Sequence, residues 1–460
     1  MRLIAMIVLV ATIGGFMFGY DSGVINGTQK GLESAFALGK LGIGVNVGAI
    51  LVGSAIGAFS AGRLADRIGR RNVMLLAAAL FFASALITGA STGSATFILG
   101  RIIGGLGVGA ASVISPVYIS EITPANMRGR LSSIQQVMII TGLTGAFVAN
   151  YVLANYAGSS TAPLWAGLPA WRWMFWLQAI PAIIYFLTLL LIPESPRYLM
   201  MKGRQDAALA VLTRLFGEHA ARAKADDIAT SLAADTRQSR LSDLIDPQTG
   251  KIRTLVWTGI GLAVFQQFVG INVVFYYGAT LWEAVGFTEN QALQTNILSG
   301  ALSIGACLLA MALIDKIGRK PLLLIGSAGM AAALATVAYA FSTAVTGADG
   351  AVVLPGHNGL VALIAANLYV VFFNFSWGPI MWVMLGEMFP NHLRGSGLAV
   401  AGFAQWIANA AVSVTFPALS ISPGLSVTYM GYALFAALSF FFVRAMVVET
   451  NGVELEDMQG

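Results

Sequence analysis

The residues best able to do chemistry in this 460-residue chain are few, and most are uncharged. Asp21 is the only carboxylate well inside an apolar stretch, and Arg101 is its natural counter-charge. A charge at membrane depth costs at least about 2.5–3.5 kcal/mol, so a carboxylate placed there implies function. An Asp that alternates between an arginine and a proton can load and release that proton. The plainer alternative is a static ion pair holding two helices together. A second group consists of amides and aromatics: Gln136, Gln266, Gln267, Asn272, Tyr276, Trp382, Gln405 and Trp406. An amide offers donor and acceptor together, and a ring offers an apolar face. That combination suits recognition of an uncharged polar molecule. No nucleophile–base pair or phosphate loop is visible, so an enzyme reading has no support. The only cysteine is Cys307, and His219, His357 and His392 show no ligand spacing, so neither a metal nor a cofactor is expected. Asn26-Gly-Thr28 matches the glycosylation sequon, a weak three-residue pattern.

The elements that must position these residues are apolar. The chain is 57% hydrophobic and 10% charged, whereas soluble domains carry about 25% charged residues. Twelve stretches of roughly 20 apolar residues, each able to cross a bilayer, are expected at about 3–26, 42–62, 73–92, 96–120, 131–156, 172–192, 253–282, 293–314, 321–344, 359–389, 396–418 and 425–447. The first lacks a small-residue cleavage site and reads as a span, not a cleaved signal. With the N-terminus inside, only Lys30, Lys40 and Arg172 fall in outer loops, and Arg101 and Arg444 lie within spans. The other Lys and Arg are cytoplasmic, which places both termini inside. The net charge of +5 therefore reports orientation and gives no reason to expect a nucleic acid. At about 1.5 Å per residue, Asp21 on an outgoing span and Arg101 on an incoming one reach the same outer depth. In the fourth span, Gly100, Gly104, Gly105, Gly107 and Gly109 form small-xxx-small patterns that let helices approach closely.

Two loop motifs occur twice. Gly62-Arg-Leu-Ala-Asp-Arg-Ile-Gly-Arg-Arg71 returns as Ala312-Leu-Ile-Asp-Lys-Ile-Gly-Arg-Lys320, and Glu121-Ile-Thr-Pro-Ala-Asn-Met-Arg-Gly129 returns as Glu387-Met-Phe-Pro-Asn-His-Leu-Arg-Gly395. A duplicated half with charged loops between apolar runs is a transporter pattern. The plain reading of the repeats is topology alone, a basic turn held inside. The sharper one is a cytoplasmic latch in which Arg and Glu pair across the halves when the protein opens outward and separate when it opens inward. Its members would be Asp66, Arg67, Arg71, Glu121, Arg128, Asp315, Arg319, Glu387 and Arg394. Between the halves, residues 197–250 carry Leu199, Leu209, Leu212, Leu215, Ile228 and Leu232 at helical spacing, which predicts short amphipathic helices on the cytoplasmic face.

The chain resembles the sugar porter family of the major facilitator superfamily. The resemblance is carried by Gly-Gly-Phe-Met-Phe-Gly-Tyr-Asp21, Asp66 to Arg71, Gly100 to Gly109, Pro193-Glu-Ser-Pro-Arg197, Gln266-Gln-Phe-Val-Gly-Ile-Asn272, Trp377-Gly-Pro379 and Gln405-Trp406. It implies an all-α membrane protein with twelve transmembrane helices in two pseudo-symmetric six-helix halves and short cytoplasmic helices between them. Residues 1–196 would form the proton-coupling half, 197–250 the helical linker and 251–460 the main sugar-binding half. The implied activity is proton-coupled import of a hexose or pentose of glucose, xylose or galactose type. A facilitative uniporter, a polyol or inositol porter and a non-transporting sensor are the alternatives. The resemblance places the amides and Trp residues above, together with Gly378, at sugar-contact positions, and Phe18 and Phe373 at aromatic walls. It also adds Glu194, Arg197 and Glu449 to the cytoplasmic gate. The implied partners are a monosaccharide, a proton and the lipid bilayer of a bacterial inner (plasma) membrane, with the monomer as the working unit. Three departures stand out. Val448-Glu-Thr-Asn-Gly452 replaces the usual Pro-Glu-Thr-Lys-Gly, Leu143 stands where some members carry Gln, and Ser303 stands where many carry Asn. Ser303 is expected to leave room for a larger hydroxylated substrate or a water.

Overall fold

The computed structural model describes residues 2–123, 128–234, 241–247, 249–346 and 352–450. In chain order, the first helices are α1 (Arg2–Val24), α2 (Gln29–Phe36), α3 (Lys40–Ile68), α4 (Arg70–Ala90), α5 (Ser94–Ile122), α6 (Arg128–Ala157), α7 (Ala170–Leu177) and α8 (Ala179–Leu189). Short helices α9 (Pro196–Met201), α10 (Gln205–Phe216) and α11 (Glu218–Ala234) follow. The remainder are α12 (Thr254–Phe268), α13 (Ile271–Ala284), α14 (Glu289–Ile317), α15 (Arg319–Ser342), α16 (Asn358–Phe375), α17 (Trp377–Met388), α18 (Asn391–Leu419) and α19 (Leu425–Met446).

Among the described residues, eleven helical runs are long and apolar enough to cross a membrane, against the twelve stretches expected. The difference has a local cause. The run Gly395–Met446 holds the last two expected stretches, α18 and α19, which meet at a kink where Ser422 leaves helical geometry at φ −139°, ψ 114°. Strand pairing was not expected, yet Val345–Thr346 and Val352–Val353 make a two-residue antiparallel ladder. Large apolar side chains such as Phe59 and Leu191 are 65% and 75% exposed. An apolar perimeter of this kind is costly in water and suits contact with acyl chains.

Close helix approach depends on glycine. A Cβ on Gly53 would sit 2.2 Å from the Ile102 carbonyl, and one on Gly105 2.1 Å from the Ile50 carbonyl. The small-residue pattern of the fourth span therefore seats α5 against α3. Across the bundle, α3 packs on α18 and α6 on α14, while α15 packs on α19 and α16. The amphipathic linker is helical as its spacing predicts: Leu199, Leu212 and Leu215 are buried, and Ser195 caps α9 by accepting from the Tyr198 amide, with Pro196 at the first turn.

Two apolar spans of the second half are broken. Between α12 and α13, Gly270 adopts φ +84°, and a Cβ there would also lie 2.6 Å from the Tyr432 ring. Between α16 and α17, Ser376 leaves helical geometry at φ −130°, ψ −87°. Backbone groups freed at such a break must find partners inside the protein. The Tyr369 hydroxyl supplies one by donating to the Val269 carbonyl at 2.7 Å.

Candidate functional site

The ion pair expected from sequence is present. Arg101 Nη1 donates to Asp21 Oδ1 at 2.5 Å and to the Asp21 carbonyl at 3.1 Å, and both side chains are about 1% exposed. Gly104, one turn along α5, makes the approach possible: a Cβ there would lie 2.5 Å from Ser84 Oγ and 2.6 Å from Asp21 Oδ2. Asp21 Oδ2, Arg101 Nε, Ser84 Oγ and both polar atoms of Gln178 are buried without a partner at hydrogen-bond geometry among the described residues. The Gln178 amide nonetheless lies close enough to act electrostatically on the Asp21 carboxylate. Removing one member of a buried pair costs about 3–5 kcal/mol because the other charge is stranded. A carboxylate so placed gives up its counter-charge only when something else neutralises it, and a proton does so.

The amides of the second half converge on the two helix breaks. Gln266 Nε2 donates to the Trp377 carbonyl at 3.0 Å, next to the α16–α17 break, with the Gly378 carbonyl at 3.5 Å. Gln405 Nε2 and Gln267 Nε2 both donate to Gln266 Oε1, at 3.0 and 3.1 Å. Asn272 Nδ2, beyond the α12–α13 break, donates to Gln267 Oε1 at 2.5 Å. Four expected site amides thus form one network, and Gln405 Oε1 is left buried without a partner. Trp406 and Phe373 are buried, and the Phe18 ring reaches across from α1 to 6.2 Å from Trp406. The Tyr276 hydroxyl lies beside Ser22 and Asn409. Ser22 is the chain neighbour of Asp21, and Tyr276 shares α13 with Asn272. Gln136 is half-buried on α6, and Trp382, 42% exposed, is not joined to the network.

Both departures near this region are absorbed by packing. Ser303 is fully buried, donates to the Ser299 carbonyl and accepts from Asn374, so it leaves no room for a substrate or water. Leu143 is buried against Gly23, whose Cβ would meet it at 3.2 Å.

In this conformation the charged loop motifs pair locally. Arg70 pairs with Glu121 at 3.1 Å and with Asp66 at 3.0 Å, and Arg319 pairs with Glu387 at 2.9 Å and with Asp315 at 3.0 Å. These pairs run within each repeat and do not cross between halves. The side chains of Arg128 and Arg394 lie outside the described residues. Glu194 accepts from the backbone amides of Arg70 and Arg71 at the start of α4, and Glu449 does the same for Arg319 and Lys320 at the start of α15. An anion at a helix N-terminus meets free amides and the positive end of the dipole. Ser195 Oγ donates to Glu121 and Thr450 Oγ1 donates to Glu387, a further matched pair. The altered Val448-Glu-Thr-Asn-Gly452 segment thus retains the contact of its counterpart through Glu449. Burial raises the Glu194 carboxyl above the ordinary glutamate value, against the lowering effect of the amides that donate to it. Arg67 closes α3 with its carbonyl accepting from Tyr198, and Arg197 lies in α9.

Sequence reasoning missed Arg70 in favour of Arg71, whose guanidinium instead donates to the carbonyls of Leu189 and Leu190. The signal was available: Asp66 and Arg70 stand four apart, as do Asp315 and Arg319. Gln178 and Ser84 were also missed, and nothing in an isolated apolar stretch marks them.

Residues 7–460 match the family model described as sugar (and other) transporter. The chain is 47% identical over 450 residues to a glucose transport protein of Synechocystis sp., covering 98% of this chain and 95% of that protein. It is 36% identical over 486 residues to the D-xylose-proton symporter of Escherichia coli, covering 98% and 94%. It is 35% identical over 459 residues to the arabinose-proton symporter of Bacillus subtilis, covering 100% and 95%. Among solved structures, the inward open conformation of the xylose transporter XylE from E. coli is similar at a TM-score of 0.84 and 35% identity, with 99% of each chain covered. The partially occluded inward open conformation of that transporter gives 0.82 at 34% identity, covering 97% of this chain and 100% of that one.

Proposed function

This chain belongs to the sugar (and other) transporter family, and from that premise we propose that it carries a hexose or pentose across a membrane together with a proton, by alternating access. The observation that carries the reading is the buried Asp21–Arg101 pair together with the amide network at the helix breaks of the second half. A sugar presents hydroxyls that both donate and accept. Gln266, Gln267, Asn272 and Gln405 bond to one another and exchange those bonds for sugar hydroxyls when it enters, with Trp406, Phe18, Phe373, Trp382, Gly378, Tyr276 and Gln136 completing the walls. Protonation of Asp21 removes its charge and frees Arg101, which loosens α1 from α5. One charge moved across 100 mV contributes about 2.3 kcal/mol, roughly a fifty-fold accumulation.

Residues 1–196 and 251–460 act as the two moving halves in this reading, and 197–250 as the helical linker on the cytoplasmic face. The excess of Lys and Arg in alternate loops supports cytoplasmic termini in an inner membrane. A single chain holds both the proton pair and the amide network, which supports a monomer as the working unit. Asn26, Gln29, Ser160, Asn155 and Tyr151 bond across the halves to α13 and α14 at one end of the bundle. On that orientation the outer end is closed. The α4 and α15 starts, with Glu194 and Glu449 capping them, stiffen each half at the opposite end so that it moves as one body.

Counterflow in proteoliposomes across a panel of hexoses, pentoses and polyols tests the substrate class. The expected outcome is exchange of at least one monosaccharide with no exchange of charged solutes. Exchange of polyols alone would move the assignment to that class.

A further inference from the structure

Trp377 opens α17 immediately after the α16–α17 break, and its side chain is fully buried. Its carbonyl is the seat of Gln266, and its indole is held by α15. Nε1 donates to Ser327 Oγ at 2.9 Å and, more weakly, to the Leu323 carbonyl at 3.3 Å. Ser327 Oγ lies 2.8 Å from Ser439 Oγ on α19, and Ser439 Oγ donates to the Ala436 carbonyl at 2.7 Å. Each hydroxyl has one proton to give. Ser439 spends its own on Ala436, so Ser327 donates to Ser439 and accepts from the indole. The hydrogen bonds therefore run in one direction, from α17 through α15 to α19, and both serines are fully buried. The break is also seated against α15. A Cβ on Gly326 would collide with Ser376 Oγ, and one on Gly329 with the Phe372 ring.

We infer that Ser327 is a positioning residue for the sugar site: its hydroxyl fixes the Trp377 indole and, through that residue's backbone, the carbonyl on which Gln266 rests. Ser376 leaves helical geometry, so the α16 ladder does not carry across to fix the start of α17. A side-chain anchor does that instead. Hydrogen bonds in series polarise one another, which strengthens the hold. Gln266 is the amide on which position matters most, because its Oε1 accepts from both Gln267 and Gln405. What its Nε2 donates to sets the plane of the amide. A shift of the Trp377 carbonyl turns that plane and weakens both neighbours together. Neither α15 nor α19 carries an expected sugar-contact residue, yet through this relay both bear on the amide network. The inference rests on the proposal that this network binds the sugar.

Ser327→Ala removes the acceptor without adding bulk and leaves the indole only its longer contact to Leu323. Trp377→Phe removes the donor and keeps a ring and the backbone carbonyl. The first measurement, on the full chain without sugar, is amide hydrogen exchange across residues 373–381. Both variants are expected to exchange about fivefold faster there than wild type, the effect of losing one buried hydrogen bond. The second is the half-saturation constant for counterflow in proteoliposomes of D-glucose, D-xylose and D-galactose. Each variant is expected to raise it about fivefold with the maximal rate little changed. The double variant is expected to go no further than Trp377→Phe alone, because both substitutions break the same bond. A serine that only stabilised the fold would lower the yield of folded protein and leave the half-saturation constant alone. Unchanged exchange in both single variants overturns the inference. So does faster exchange with an unchanged half-saturation constant, and so do effects that multiply in the double variant. Exchange needs no sugar, so the two proposals fail separately. Faster exchange in a chain whose wild type moves no monosaccharide upholds the hold of Ser327 on the break and removes the transport reading.

Discussion

Arg70 and Arg71 are chemically alike and adjacent, yet among the described residues only the Arg70 guanidinium pairs with carboxylates. Its guanidinium is held by Glu121 and Asp66, while Arg71 reaches carbonyls at the end of α8. Arg70→Ala strands Glu121, which is 9% exposed, whereas Arg71→Ala removes bonds to carbonyls near solvent. Arg70→Ala is therefore expected to cost about 1–3 kcal/mol and Arg71→Ala clearly less, as measured by thermal unfolding in detergent. Equal losses would show that the carboxylate pairing is unimportant. The residue types of the site were legible because buried charges and amides are rare in apolar spans. The partner of a given loop cation was not, because adjacent arginines differ only in the direction a helix points them. Ser303 teaches the same lesson from the other side: a hydroxyl within a span looked available to a ligand and is consumed by Ser299 and Asn374.

The elements were largely readable, since each span leaves an uninterrupted apolar run and the linker leaves an amphipathic one. The breaks were harder. Gly270 lies in a run with many helix-compatible glycines, and only the structure gives its φ of +84° and the Tyr432 ring against it. Ser376 carries no helix-breaking signal of its own before Gly378 and Pro379. Both breaks matter because Gln266 and Gln267 precede one, Asn272 follows it, and the Trp377 carbonyl at the other receives Gln266. Gly270→Ala imposes a left-handed conformation on an L residue, at about 1–2 kcal/mol, and adds the ring clash. The expected result is folded protein whose sugar counterflow falls at least about tenfold. Undiminished counterflow would remove the α12–α13 break from the mechanism. The kink at Ser420–Gly424, by contrast, falls in the gap the sequence leaves between the last two apolar stretches, where Ser422, Pro423 and Gly424 interrupt the pattern.

At the scale of the molecule, the duplicated loops do more local work than their symmetry suggested. Each set braces its own half: Asp66, Arg70, Glu121 and Glu194 in one, and Asp315, Arg319, Glu387 and Glu449 in the other. The bonds described between the halves lie elsewhere, at Asn26, Gln29, Tyr151, Asn155 and Ser160. What is not duplicated is the chemistry. The first half holds the buried Asp21–Arg101 pair, and the second holds the amide network at its two broken helices. Tyr276, beside Ser22, lies on the same helix as Asn272. Uptake of the preferred monosaccharide into proteoliposomes, with an inward proton gradient as the only driving force, tests this account most directly. The wild-type chain is expected to accumulate sugar above equilibrium, and Asp21→Asn to lose accumulation while still exchanging sugar between two loaded sides. Accumulation by Asp21→Asn at the wild-type level would contradict the account.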